Sequence, residues 1–253
     1  MTTTRPALFT RADGRERIGI SFWDGMVSAV AGTAIGFVAA VVATFVLVVA
    51  VVLATGHAPS RTPGHPLVAL SELVFYGACG MFVWYRLRSL GRTFFRPLNG
   101  RDVRVLLLGI VALFAIRFGT VALLIVSNQT KHVQAGFEHF SVTSTAPTVT
   151  AFSVVLAVAT MVVVAPVVEE IVFRGLLFGA LAPRLGVFAA AVVTALLFGF
   201  VHGDPVLFPA LAALGFVAAL AYAATGNLIV PIILHALNNT LGAAFLIATS
   251  LRH

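Results

Sequence analysis

Seven apolar runs organise this chain, at residues 26–55, 67–85, 105–126, 151–182, 187–203, 206–224 and 228–249. Between them lie short breaks of turn chemistry. These are residues 57–66 with Pro59, Pro63 and Pro66; Pro97-Leu98-Asn99-Gly100; Pro183; Gly203-Asp204-Pro205; and Gly226-Asn227. A membrane-spanning helix needs about 20 apolar residues, so the pattern predicts an all-α, polytopic bundle of about seven (six to eight) transmembrane helices. The first run is far longer than a signal-peptide core of about 7–15 residues. It reads as a retained first helix with no cleaved leader. Residues 1–25 form a polar N-terminal tail, and residues 26–250 read as a single transmembrane domain.

Composition agrees. Of 253 residues, 60% are hydrophobic and 10% charged, and the mean hydropathy is +1.04. Soluble domains are about 45–50% apolar and about 25% charged, so this is an integral membrane protein. The net charge of +7 comes almost wholly from arginine. Nearly all of these arginines are grouped beside the apolar runs, which fits membrane orientation rather than nucleic acid. Arg5, Arg11, Arg15 and Arg17 lie in the tail, and Arg86, Arg88, Arg92, Arg96, Arg101 and Arg104 around the second-to-third connection. The first-to-second linker has only Arg61 and the third-to-fourth only Lys131. By the positive-inside rule the N-terminus is cytoplasmic in the cell membrane, and seven spans place the C-terminus outside. The mixed arginine and aromatic stretch from Trp84 to Phe95 reads as an interfacial anchor. The one cysteine, Cys79, excludes an intramolecular disulfide and a multi-cysteine metal site.

Against this apolar background, Glu169, Glu170 and Arg174 interrupt the fourth run. A charge at the bilayer centre costs about 2.5–3.5 kcal/mol, so such groups persist by pairing, by facing a protein interior or by doing chemistry. Glu170 and Arg174 are four apart and can pair along one helix face. Glu169 is rotated about 100° from Glu170, so the two carboxylates have different roles. Pro166, just upstream, removes a backbone donor and favours a kink.

Two further motifs follow. Phe198-Gly199-Phe200-Val201-His202 closes the fifth run, and His235-Ala236-Leu237-Asn238-Asn239 lies in the seventh, with His235 and Asn239 on one face. At a rise of about 1.5 Å per residue, Glu169 lies roughly 20 Å from the cytoplasmic end of its span and His202 roughly 22 Å. His235 and Asn239 lie roughly 11 and 17 Å in. The depths overlap, which supports one shared site.

A carboxylate beside a histidine can hold and deprotonate a water. A second histidine and a carboxamide can donate to an oxyanion developing on a carbonyl. Alternatively, Glu169, His202 and His235 could ligate zinc, although the compact H-E-x-x-H signature is absent. A non-catalytic reading also exists: a transporter with a proton relay, or a bacteriocin-immunity-like or scaffold protein, using the same polar cluster. Arg117 reads as a structural partner in the third span, and Asp204 as a turn residue.

The ordered set Glu-Glu-x-x-x-Arg (169–174), Phe-x-x-x-His (198–202) and His-x-x-x-Asn (235–239) resembles the CAAX protease and bacteriocin-processing family, whose eukaryotic members are type II CAAX prenyl endopeptidases. The resemblance covers about residues 150–245. It implies an intramembrane endopeptidase acting on a membrane-associated or lipidated peptide or protein. By the same resemblance Glu169 is the general base, assisted by His202, His235 and Asn239 form the oxyanion hole, and Glu170 with Arg174 supports the site. No cofactor is expected; zinc is the less favoured alternative, because that oxyanion-hole assignment leaves too few ligands.

Overall fold

A computed structural model describes residues 20–57, 66–90, 94–129 and 155–250. Arg5, Arg11, Arg15, Arg17, Pro59, Arg61, Pro63, Arg92, Lys131 and the first four residues of the expected fourth span lie outside the described residues. The described chain is helical: α1 (Phe22–Thr55), α2 (Pro66–Ser89), α3 (Gly100–Val126), α4 (Val155–Leu185), α5 (Val187–Val201), α6 (Phe208–Thr225) and α7 (Ile229–Ser250). Among the described residues five helices are long and apolar enough to cross a membrane, and two shorter apolar ones, Val187–Val201 and Ile229–Ala244, accompany them. The protein is a polytopic all-α membrane protein.

By their contacts the described residues fall into two compact units. The first comprises those of Met1–Val30, Val83–Leu123 and Glu169–His235. The second comprises those of Ala31–Phe82, Leu124–Val168 and Ala236–His253.

Within the first unit, α3 starts five residues before the expected position, and local polar chemistry explains the difference. Asn99 Oδ1 accepts the backbone N–H groups of Arg101 and Asp102, both at 3.0 Å, while Asp102 Oδ2 accepts the Asn99 N–H at 2.9 Å. This reciprocal arrangement satisfies donors that a helix start leaves open. Asp102 is fully buried, yet both its oxygens receive the Arg96 guanidinium, which also donates to Thr225 O. Charges that look like linker in the sequence therefore belong to a folded helix start.

The end of α4 differs for a related reason. Pro183 does not stop the helix, which runs to Leu185 and breaks at Gly186, where φ is 81°. A proline inside a helix takes away the N–H that would bond the carbonyl four residues back, here Gly179. That carbonyl is instead served by the Ile20 N–H at 2.9 Å. With the carbonyl satisfied, the helix can pass through the proline. The left-handed region of Gly186 is costly for other residues, so the break falls there.

Small residues set the spacing of α5 and α6. Ala190, Ala191, Ala195, Ala218 and Ala219 are buried. A Cβ on Gly215 would lie 3.1 Å from Ala195 Cα and 3.3 Å from Phe198 Cβ. Helices in lipid gain nothing from excluding water and associate through such close packing. Large apolar side chains are left exposed, as a bilayer setting permits: Phe200 on α5, Phe37, Phe45 and Leu53 on α1, Phe118 on α3.

Gly215→Leu therefore forces these two helices apart. The expected loss is about 1–3 kcal/mol of stability, read by unfolding the purified protein with SDS in mixed micelles. An unchanged midpoint would contradict the close α5–α6 contact.

Candidate active site

The fourth helix is irregular where its charges lie. Thr160–Val164 and Ile171–Phe178 are wide π-helical stretches, and only Ala165–Glu170 between them has ordinary α-helical winding. Such wide turns are rare and recur at functional sites. Pro166, expected to kink the helix, sits in this short α-helical stretch together with Glu169 and Glu170.

The two carboxylates face different surroundings, as their rotation about the helix requires. Glu170 is fully buried. Its Oε1 accepts Arg174 Nη1 at 2.9 Å and lies 2.9 Å from His235 Nδ1. Arg174 is itself buried, donates through Nη2 to Gly215 O at 2.9 Å, and stacks its guanidinium 4.8 Å above the Phe198 ring. Four elements of sequence far apart thus converge on one buried ion pair.

Glu169 points elsewhere. Its Oε2 lies 3.8 Å from His235 Nε2 and 4.0 Å from His202 Nε2. His202 follows α5 as its cap and keeps its ring one-third exposed, with Nδ1 2.6 Å from Phe198 O. Phe198 is the hub beneath both imidazoles, with ring centroids 4.7 Å from His202 and 5.4 Å from His235.

Hydrogen-bond roles follow from donor chemistry. A carbonyl oxygen only accepts, and an arginine only donates. Phe198 O therefore accepts the hydrogen bond donated by His202 Nδ1–H. Glu170 Oε1, already accepting from Arg174, also accepts the hydrogen bond donated by His235 Nδ1–H. When neutral, both rings then direct an unprotonated Nε2 at Glu169. The separations of 3.8 and 4.0 Å exceed a direct hydrogen bond and suit a bridging water.

Zinc fits less well. Tetrahedral ligands at about 2.0–2.1 Å from zinc would stand only about 3.4 Å apart, closer than Glu169 stands to either ring. Among the described residues no group of three His, Cys, Asp or Glu has metal-holding geometry.

Five of the six expected site residues thus meet in the first unit: Glu169, Glu170, Arg174, His202 and His235. Asn239 belongs to the second unit, where its Nδ2 donates to Met161 O at 2.8 Å and its Oδ1 accepts from Asn238 Nδ2 at 3.1 Å. Three participants are not singled out by the sequence: the Glu170–His235 bond, the Gly215 carbonyl and the packing role of Phe198. Phe198 alone has a signal, one helical turn before His202. Asp204 behaves as expected, its Oδ1 accepting the N–H groups of Val206 and Leu207 ahead of α6.

Removing one member of a buried ion pair leaves the other charge stranded. Arg174→Ala is therefore expected to cost about 3–5 kcal/mol in SDS unfolding. Arg174→Lys recovers little of it, since one ammonium cannot replace the planar fork joining Glu170 to Gly215 O. Full recovery by lysine would contradict the bridging role.

Residues 151–241 match the family model of the Type II CAAX prenyl endopeptidase Rce1-like proteins. The chain is 38% identical over 91 residues to YdiL of Bacillus subtilis strain 168, which is named as a putative membrane peptidase; the match spans 34% of this chain and 37% of that protein. It is 37% identical over 83 residues to the membrane-embedded CAAX protease MroQ of Staphylococcus aureus strain USA300, across 30% of this chain and 34% of that protein. The chain thus matches about a third of the length of each of these relatives. No solved structure matches it. Every charged and imidazole group of the site falls within the residues that match the family model, so the likeness of this chain to the CAAX membrane proteases is carried by the segment that holds the site.

Proposed function

We propose that the protein is an intramembrane endopeptidase that hydrolyses a peptide bond in a membrane-associated or lipidated substrate, using a carboxylate-activated water and no metal. The observation that carries this reading is the position of Glu169 opposite two imidazole Nε2 atoms at water-bridging distance. A water there donates one hydrogen to Glu169 and the other to a histidine. Its lone pairs are left pointing away from both, toward a substrate.

The chemistry then balances without a further reactant. Glu169 takes a proton from the water as the oxygen bonds to the peptide carbonyl carbon, and the carbonyl π electrons move onto its oxygen. When that tetrahedral species collapses, the C–N bond breaks and the proton held by Glu169 passes to the departing amine. His202 fixes the water. His235 stabilises the oxyanion by donating from Nε2, which its geometry allows in the imidazolium form. In that form the Glu170 carboxylate at Nδ1 offsets the charge of the ring.

The bilayer sets the setting. A site on apolar helices excludes bulk water, and a lipidated or membrane-lying peptide reaches it by diffusing in the bilayer plane. The arginine distribution supports a cytoplasmic N-terminus.

Glu169→Ala and His202→Ala are each expected to lower cleavage at least about 100-fold while the proteins still insert and unfold cooperatively. Comparing peptide termini in membranes from wild-type and Glu169→Ala cells should reveal termini lost in the variant. Undiminished proteolysis by purified Glu169→Ala protein would remove Glu169 from the role of base. Prolonged chelation should leave activity intact; loss that added zinc restores would replace this scheme with a metal-dependent one.

A further inference from the structure

Pro166 creates a gap in the backbone hydrogen bonding of α4. In the wide turn before it, the Ala165 N–H bonds the carbonyl five residues back, Thr160 O. In that register the next donor belongs to residue 166 and the next acceptor is Met161 O. A proline has no N–H to give. A carbonyl left unserved away from water is costly, because nothing in lipid replaces the lost donor.

The Asn239 carboxamide fills this place. Its Nδ2 donates to Met161 O at 2.8 Å. Its Oδ1 accepts from Asn238 Nδ2 at 3.1 Å, so the amide cannot turn over without setting oxygen against oxygen. Met161, Pro166 and Asn239 all lie in one compact unit. Only one Nδ2 hydrogen is used, so the second remains for another acceptor. Pro166 is three residues before Glu169 in the same α-helical stretch, Ala165–Glu170. Residues three apart share a helix face.

We propose that Asn239 substitutes for the missing N–H of Pro166 and so acts as a positioning residue for the helical turn that carries Glu169. This rests on the protease reading only for its catalytic consequence; the hydrogen bond itself is tested without any substrate.

The experiment is a double-mutant cycle on the full chain in detergent, with Asn239→Ala, Pro166→Ala and both together. Pro166→Ala restores a backbone donor beside Met161 O. In the otherwise wild-type chain, Asn239→Ala is expected to lower Tm by about 3–8 °C. In the chain already carrying Pro166→Ala, the same change should cost less than half as much. Equal losses in the two backgrounds would overturn the inference. For cleavage of a membrane-anchored peptide, adding Pro166→Ala to Asn239→Ala should raise kcat at least about tenfold with KM unchanged, a recovery that loss of an oxyanion donor alone would not show. Coupling in Tm with no recovery of kcat overturns the positioning of Glu169. Absence of cleavage in the wild type would defeat the protease reading and leave the Tm cycle to decide the hydrogen bond.

Discussion

One oxygen atom, Glu170 Oε1, holds this site together. It accepts from Arg174 and from His235 at 2.9 Å each, in a place where neither charge can reach water. Such a buried pair is weak as a source of stability, because desolvating both ions offsets most of their attraction. It is strong as a constraint: any displacement of α4 or α7 leaves a charge uncompensated. Arg174 extends the constraint to α6 through Gly215 O and to α5 through the Phe198 ring. The imidazole that Glu170 orients is then presented to Glu169, so one carboxylate determines which ring nitrogen the other faces.

The same rule governs the backbone. Within lipid every main-chain donor and acceptor needs a partner from the protein, and α4 contains two prolines that each remove one donor. Neither loss is left open: Ile20 serves Gly179 O, and Asn239 serves Met161 O. The irregular winding around Glu169 and Glu170 is thus tolerated through contacts made by other parts of the chain.

Much of this is legible in the sequence, for physical reasons that can be named. The spacing of Glu170 and Arg174 specifies an ion pair, and the offset of Glu169 by about 100° specifies a separate role. Overlapping depths of Glu169, His202 and His235 foretell that they meet. The Glu170–His235 bond is not legible, because it links residues 65 positions apart and depends on how two helices rotate against each other. Gly215 O is invisible because a backbone acceptor has no residue type to mark it. Pro183 looks like a terminator, since the sequence shows the missing donor but not its replacement by Ile20. Charged residues at 101–104 look like linker because the partners that bury them, Arg96 and Thr225 O, come from elsewhere.

The two replacement donors of α4 also differ in when a ribosome makes them. Ile20 emerges before α4 exists, whereas Asn239 and His235 emerge only with α7. During synthesis the glutamate-bearing helix must wait, with Met161 O still lacking its amide and Glu170 still lacking its imidazole. The nascent chain therefore carries the two carboxylates before the groups that bond and face them on α7 exist. Synthesis of α7 is therefore the moment at which Glu170 gains its imidazole partner and Glu169 first faces a ring from that helix.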